Sequence, residues 1–167
     1  MHTRSARFCL LTTLLLGMSA CSTEGTLTPV SGGGTAMTAA NIWSIDVTGT
    51  EPARADEIRN SVLESLIGSS LAQHVVLPGT PADRVLVIHV TRIRYVSAGE
   101  RMMLGLMAGR NVVEATETVS SPLAPAGQTM KVFTVEAESA AHPLAGVSMF
   151  EDALKTFAEK TLDGLRS

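Results

Sequence analysis

The sequence predicts an α+β domain with the element order β-α-β-β-β-α, in which a mixed four-stranded sheet carries two helices packed on one face. Two observations lead to this fold class. Four segments after residue 41 either alternate apolar and polar side chains or form a short apolar run, as strands do. Two other segments carry apolar side chains at helical spacing. Because each helix has an apolar stripe to bury, both are expected to cover the sheet.

The first strand and the first helix are predicted within residues 42–71. Residues 42–47 (IWSIDV) alternate, and the set expected to face the core is Trp43, Ile45 and Val47. Thr50 can cap the following helix, and Pro52 suits its first turn, where a missing N–H costs little. We expect this helix to end near Leu71. Its predicted buried stripe is Ile58, Val62, Leu63, Leu66 and Ile67.

The second half of the domain is predicted as a central strand, a hairpin and a closing helix. Residues 84–96 (RVLVIHVTRIRYV) begin as a continuous apolar run, typical of burial on both faces, and the crossover rule makes this strand parallel to the first. Residues 111–139 hold two alternating segments around a loop and predict a β-hairpin. Ser148 and Glu151 form a capping-box pattern before a helix over residues 149–165. Its predicted stripe is Ala153, Leu154, Phe157, Ala158, Thr161, Leu162 and Leu165.

The first twenty residues have the three parts of an export signal. Residues 1–7 contain Arg4 and Arg7 and no acid, residues 8–16 are mostly apolar, and small residues then lead to Cys21. The apolar run is far shorter than the roughly 20 residues that span a bilayer. Residues 1–20 are therefore predicted to be a signal peptide rather than a membrane-spanning helix.

The segment MSAC at residues 18–21 resembles the bacterial lipobox, in which the cysteine is acylated and the chain is cut just before it. The resemblance implies a lipoprotein anchored in a membrane through Cys21 by acyl chains such as palmitate, since several chains hold stably where one holds only marginally. Ser22 stands where an Asp would favour the inner membrane, so the implied location is the outer membrane, facing the periplasm. An ordinary secretory peptide with a chance cysteine is the alternative.

Residues 21–41 are predicted to be a flexible tether, followed by a single α/β domain at residues 42–167. The tether segment is rich in Thr, Ser and Gly, includes three consecutive glycines at residues 32–34, and has no apolar period. A coil of about 19 residues has a root-mean-square reach of roughly 25 Å. The domain is therefore expected to stand off the membrane.

Charge and cysteine content exclude several functions. Without Arg4 and Arg7 the chain keeps 11 basic and 16 acidic side chains, a net charge of −5. This balance argues against nucleic acid as a partner, because nucleic-acid binding needs a basic footprint, and against electrostatic docking on anionic lipids. Cys9 would leave with the signal and Cys21 would be acylated, so we expect no disulfide.

No catalytic or metal-binding constellation stands out. The three histidines after the signal, His74, His89 and His142, are predicted on a helix end, a strand and a loop, without metal-ligand spacing. Nucleophile-elbow, S-x-x-K, P-loop and dinucleotide-binding motifs are all missing from the sequence. We therefore predict no catalytic residue, no metal and no cofactor.

The connection between the central strand and the hairpin is unusually apolar. Residues 99–111 (GERMMLGLMAGRN) place three methionines and two glycines between two arginines. Methionine suits adaptable apolar contacts, and glycines four residues apart let helices approach closely. The hypothesis is a surface for a protein partner or for self-association; the alternative is a connector folded onto the domain's own core, with the glycines in tight turns. The candidate contact residues are Met102, Met103, Leu104, Gly105, Leu106, Met107 and Gly109.

The chain resembles an uncharacterised bacterial lipoprotein family, domain of unknown function 4410. The matching residues form a G-x-R-x-x-x-G-x-x-A-G pattern: Gly99, Arg101, Gly105, Ala108 and Gly109. Two strand segments (NVVEATETV and KVFTVEAES) follow, and the resemblance covers most of residues 42–165. It implies the layout of a small envelope α/β module, similar to the amino-terminal domain of the translocation protein TolB, and brings no catalytic residues.

Two functions are compatible with these observations. The first is a non-enzymatic, membrane-anchored envelope lipoprotein whose domain binds a protein partner or copies of itself in the periplasm. The second is an envelope enzyme or small-ligand carrier with a pocket between the sheet and the helices. A closed core with an exposed apolar patch would favour the first function, and an apolar pocket with convergent polar groups would favour the second.

Overall fold

The structure is a computed structural model that describes residues 23–31, 40–122, 129–139 and 148–167. The signal segment, Cys21 and His142 lie outside the described residues. Six strands and three helices are present in the described part, together with one 3₁₀ helix at Gly105–Ala108. In chain order they are β1 (Glu24–Ser31), β2 (Ala40–Thr48), α1 (Pro52–Gly68), β3 (Ala72–Val76), β4 (Arg84–Arg94), α2 (Ala98–Leu104), β5 (Val112–Ser120), β6 (Thr129–Glu138) and α3 (Ser148–Arg166).

The six strands form one mixed sheet in the order β1-β6-β5-β4-β2-β3. Strand β2 pairs in parallel with β3 and β4, and the other three pairings are antiparallel. The fold is α+β, but the predicted four-stranded sheet with two helices is wrong. The structure adds strands β1 and β3 and helix α2.

Strand β1 occupies part of the segment that was predicted to be a flexible tether. It pairs with β6 from Glu24, opposite Glu138, to Ser31, opposite Val132. Its sequence EGTLTPVS has few apolar residues because β1 is an edge strand whose side chains are mostly exposed. Pro29 is tolerated there because an edge strand has a free side on which no N–H is needed. The tether over residues 21–41 therefore needs correction, since residues 24–31 belong to the sheet.

Strand β3 and helix α2 are short, which explains why pattern reasoning missed them. Strand β3 has 5 residues and pairs in parallel with β2 at the opposite edge of the sheet. A run of this length cannot establish a strand period beside the end of a helix. Helix α2 has 7 residues and lies inside the connection that was predicted as an interruption.

Helices α1 and α3 pack beside each other on one face of the sheet, as predicted. Strand β2, strand β4, the β5–β6 hairpin and the closing helix also confirm the predicted elements. Helix α1 is preceded by Glu51 without a side-chain cap, so Thr50 is not its cap. Fully buried side chains from both layers meet in the core: Trp43, Ile45, Ile58, Leu66, Leu86, Ile88, Phe133 and Phe157.

Helix α3 approaches the sheet closely at Gly164. A Cβ atom added to Gly164 would lie 2.7 Å from Cδ2 and 2.9 Å from Cζ of Phe133. Phe133 is fully buried, so its ring has no free space into which to move. The missing side chain of Gly164 therefore sets how closely α3 packs on β6.

We predict that Gly164→Ala destabilises the domain by about 1–3 kcal/mol, the usual cost of overpacking a core. The measurement is the free energy of unfolding from urea titration monitored by circular dichroism. Gly68→Ala at the end of α1 is the matched control, because an added Cβ there meets nothing within 4 Å. Equal urea midpoints for the two variants would contradict the packing argument.

Candidate interaction surface

The connection from β4 to β5 is a capped helix followed by a 3₁₀ turn. Ser97 and Glu100 form a capping box: the Ser97 Oγ accepts from the backbone N–H of Glu100 at 3.2 Å, and the Ser97 N–H donates to Glu100 Oε2 at 2.8 Å. The pKa of Glu100 is held below its ordinary value because its carboxylate accepts hydrogen bonds from the backbone N–H of Ser97 and from the Ser97 hydroxyl. The start of α2 is thus defined by its own sequence.

Hydrogen bonds join the two ends of the connection to each other and to the sheet. Asn111 is buried, and its Oδ1 accepts from the backbone N–H of Val96 at 2.7 Å. Its own N–H donates to the Ser139 Oγ at 3.1 Å. Arg94 Nη2 donates to the carbonyl of Ala108 at 2.9 Å. These bonds hold the start and the end of the connection next to each other.

Arg101 also faces inward from α2. Its side chain is buried, and Nη1 donates to the carbonyl of Gly109 at 3.4 Å. The Nε and Nη2 atoms of Arg101 have no hydrogen-bond partner in the described part of the chain. The basic residue of α2 is therefore turned towards the domain, whereas Met102 and Met103 beside it are exposed.

The two glycines of the connection serve turns rather than helix packing. Gly105 has φ of 55° and Gly109 has φ of 83°, values in the left-handed region that favours glycine. A Cβ at Gly109 would also lie 3.0 Å from Nη2 of Arg94. Helix α2 ends at Leu104, so the two glycines do not share one helix face. The interpretation of their spacing as a helix-approach motif is wrong.

Four apolar side chains of the connection point away from the domain. The exposed fractions are 88% for Met102, 86% for Met103, 55% for Leu104 and 89% for Met107. We call these four residues the methionine surface. The alternative of a connector folded onto its own core does not hold for them, while the side chain of Leu106 lies outside the described residues. Contiguous apolar patches on a protein surface are typical of sites that contact a protein or a membrane.

We predict that the triple variant Met102→Ser, Met103→Ser, Met107→Ser melts within a few degrees of the native protein. The three side chains contact almost nothing, and surface substitutions of this kind usually change the free energy of unfolding by less than about 0.5 kcal/mol each. The measurement is the thermal midpoint by circular dichroism. A collapsed melt would show that these side chains support the fold.

The other polar candidates do not form a site. His74 lies exposed on β3 rather than at a helix end, and His89 lies exposed on β4, where its Nδ1 is 3.1 Å from the Thr48 hydroxyl oxygen. Glu136 faces outward as predicted and pairs with Arg92. Among the described residues, no group of three or more His, Cys, Asp or Glu side chains could hold a metal ion.

Glu117 is a buried acid that the sequence interpretation missed. It lies on the core face of β5 with an exposed fraction of 0%. Its Oε1 is 2.6 Å from the Thr161 Oγ1, which lies 3.1 Å from the carbonyl of Phe157. Thr161 has one hydroxyl hydrogen, so both contacts are satisfied when a protonated Glu117 donates to Thr161 and Thr161 donates to Phe157. The sequence does indicate this burial, because the alternation of side chains along β5 places Glu117 on the same face as Val119.

Burial raises the pKa of Glu117 from 4.5 to about 8. Because the folded state holds this proton and the unfolded state releases it, stability is lost as pH rises through this window. We predict that the free energy of unfolding falls between about pH 5 and about pH 8 by up to about 1.4 kcal/mol per pH unit.

Glu117→Gln is the matched variant, since an amide can donate to Thr161 and cannot ionise. Its free energy of unfolding should depend less on pH than that of the native protein. Urea titrations at several pH values measure both slopes, and equal slopes for the two proteins would contradict the buried neutral acid.

The fold is shared with solved structures of low sequence identity. The PelC dodecamer from Paraburkholderia phytofirmans, in space group P6, has a TM-score of 0.59 at 17% identity, covering 86% of this chain and 99% of that chain. A PelC dodecamer variant in space group C2 has a TM-score of 0.58 at 17% identity, covering 86% and 98%. A Xanthomonas campestris protein of family DUF330 has a TM-score of 0.54 at 14% identity, covering 81% and 87%. These similarities establish the fold alone.

No protein-family model matches the chain, and no curated protein matches it. The resemblance to domain of unknown function 4410 stays a prediction. Within the described residues, no helix combines the length and apolar character that crossing a bilayer requires.

Proposed function

We propose that this chain is a non-enzymatic envelope lipoprotein that is anchored through acylated Cys21 and acts by physical contact. The observation that carries the proposal is the methionine surface: four apolar side chains held outward on a hydrogen-bonded connection. Leaving them in water is unfavourable, by roughly 25 cal/mol for each Å² that a partner could cover. A protein that keeps such a surface gains from covering it in its working state.

The anchor is supported by the sequence of the first twenty-one residues. The basic start, the short apolar run and the MSAC segment agree with a lipoprotein signal. The residue after Cys21 is Ser22 rather than an Asp, which supports a location in the outer membrane with the domain facing the periplasm. Acylation at Cys21 would then hold every described residue near a membrane face.

Self-assembly is the second part of the proposal. It is supported by the solved PelC structures, which share the fold and are dodecamers. The domain also ends at two unpaired strand edges, β1 and β3, among the described residues. Edges of this kind can be covered when copies associate.

The enzyme or ligand-carrier alternative has less support. A pocket between the sheet and the helices would need the space that Trp43, Phe133 and Phe157 fill, and these side chains are at most 1% exposed. Glu117 lies in that layer, but it is enclosed and bonded to Thr161. The three aromatic side chains offer no polar group to a substrate, and the enclosed pair of Glu117 and Thr161 is not accessible to one.

We predict that crosslinking in intact cells captures the native protein at the membrane with contacts at the methionine surface. A photoreactive amino acid replaces Met103, and mass spectrometry identifies the adducts. The same residue at Glu159, an exposed position on α3, is the matched control. Met103 should give adducts, whether to lipid, to a second copy or to another protein, and Glu159 should give only background.

A Cys21→Ala form tests the anchor in the same experiment. This form should leave the membrane fraction and lose the Met103 adducts. The same distribution and the same adducts for both forms would overturn the anchored-contact proposal.

A further inference from the structure

The folded chain begins beside the connection that carries the methionine surface. Glu24, the first residue of β1, is in register with Glu138, which is in register with Val112, which in turn is in register with Arg94. The start of β1 and the connection from β4 to β5 therefore lie at the same end of the sheet. Arg110, the residue before Asn111 in that connection, confirms the proximity, because its Nη1 lies 3.6 Å from Glu24 Oε2.

The distance from the anchor to this end of the sheet is short. Cys21 precedes Glu24 by three positions. A chain extends by at most about 3.6 Å per residue, so the Cα atoms of Cys21 and Glu24 are at most about 11 Å apart. A domain attached in this way cannot stand off by the roughly 25 Å that a flexible tether over residues 21–41 would allow.

We infer that the methionine surface inserts into the lipid surface next to the acylated Cys21, as a second point of attachment of the domain to the membrane. This inference rests on the proposed acylation of Cys21. The side chains of Met102, Met103 and Met107 are each more than 85% exposed, so they can enter the acyl boundary without unfolding of the domain. The anchor keeps them within reach, which raises their effective concentration at the bilayer.

Charge around this end favours apolar insertion over binding to anionic headgroups. Arg110 pairs with Glu138 at 3.2 Å and with Glu24 at 3.6 Å, and Arg94 lies in the same region as Glu100. With Arg101 of α2 included, three arginines at this end are matched in number by Glu24, Glu100 and Glu138. The methionine surface should insert into membranes of zwitterionic lipid, which has no net charge. The extent of insertion should change little with added salt.

The test uses acylated protein, purified from membranes and reconstituted into phosphatidylcholine vesicles whose acyl chains carry bromine. The variant Met103→Cys receives a bimane fluorophore, and Glu159→Cys with the same label is the control. With Cys9 removed in the signal and Cys21 acylated, the introduced cysteine is the free thiol. Bromine quenches bimane only at contact distance, so quenching reports insertion.

We expect the label at position 103 to be quenched several-fold more than the label at position 159, with no loss of quenching at high salt. Equal, weak quenching at both positions in a protein whose mass includes the acyl chains would overturn the insertion while leaving the anchor intact. A disulfide between two copies of the unlabelled Met103→Cys protein, formed with an added oxidant, together with no quenching of the labelled protein, would assign the surface to a second copy and overturn lipid insertion. A mass without acyl chains would overturn the anchor and this inference together. Matching thermal melts of the labelled and native proteins ensure that the fold is retained.

Discussion

The pairing of strand β1 with strand β6 is the constraint on which the arrangement of this protein depends. It adds an edge to the sheet and ties the chain to the domain from Glu24 onward. Without this pairing, residues 21–41 would be a flexible tether, and the domain could take any orientation relative to the membrane. With it, the proposed lipid at Cys21 lies next to one end of the sheet, and that end carries the methionine surface.

The methionine surface itself depends on polar contacts rather than on apolar packing. Asn111 bridges the two ends of the connection, and the capping box of Ser97 starts α2 without help from the core. Gly105 and Gly109 turn the chain where other residues would be strained. Because these contacts meet the backbone's needs, the apolar side chains of Met102 and Met107 are free to point outward.

The core between the sheet and helices α1 and α3 is closed but not wholly apolar. Glu117 and Lys131 both lie on its inner face, and burial raises the pKa of Glu117 and lowers the pKa of Lys131. Lys131 Nζ donates to the Ser167 hydroxyl at 3.0 Å, and Glu117 contacts Thr161. Both contacts join α3 to the hairpin, so polar pairs as well as apolar packing determine where the last helix lies.

The sequence by itself determined the elements whose period is long enough to detect. Helices α1 and α3, the alternating hairpin and the apolar run of β4 could all be predicted because their side chains repeat with the spacing of their secondary structure. The sequence also identified the connection with three methionines as unusual. It could not assign β1, whose polar residues alternate weakly at an edge, or β3, whose five residues are too few for a period.

Only the tertiary structure decided which way the methionine side chains face and that their connection lies at the same end of the sheet as the start of β1. A run of apolar residues has the same composition whether it folds inward or outward, and the difference depends on distant partners such as Asn111 with Val96 and Ser139. The contact of Arg110 with Glu24 joins residues 86 positions apart in the chain, and no local pattern encodes it. Pairing across the sheet brought these residues together because hydrogen bonds between strands act through space rather than along the sequence.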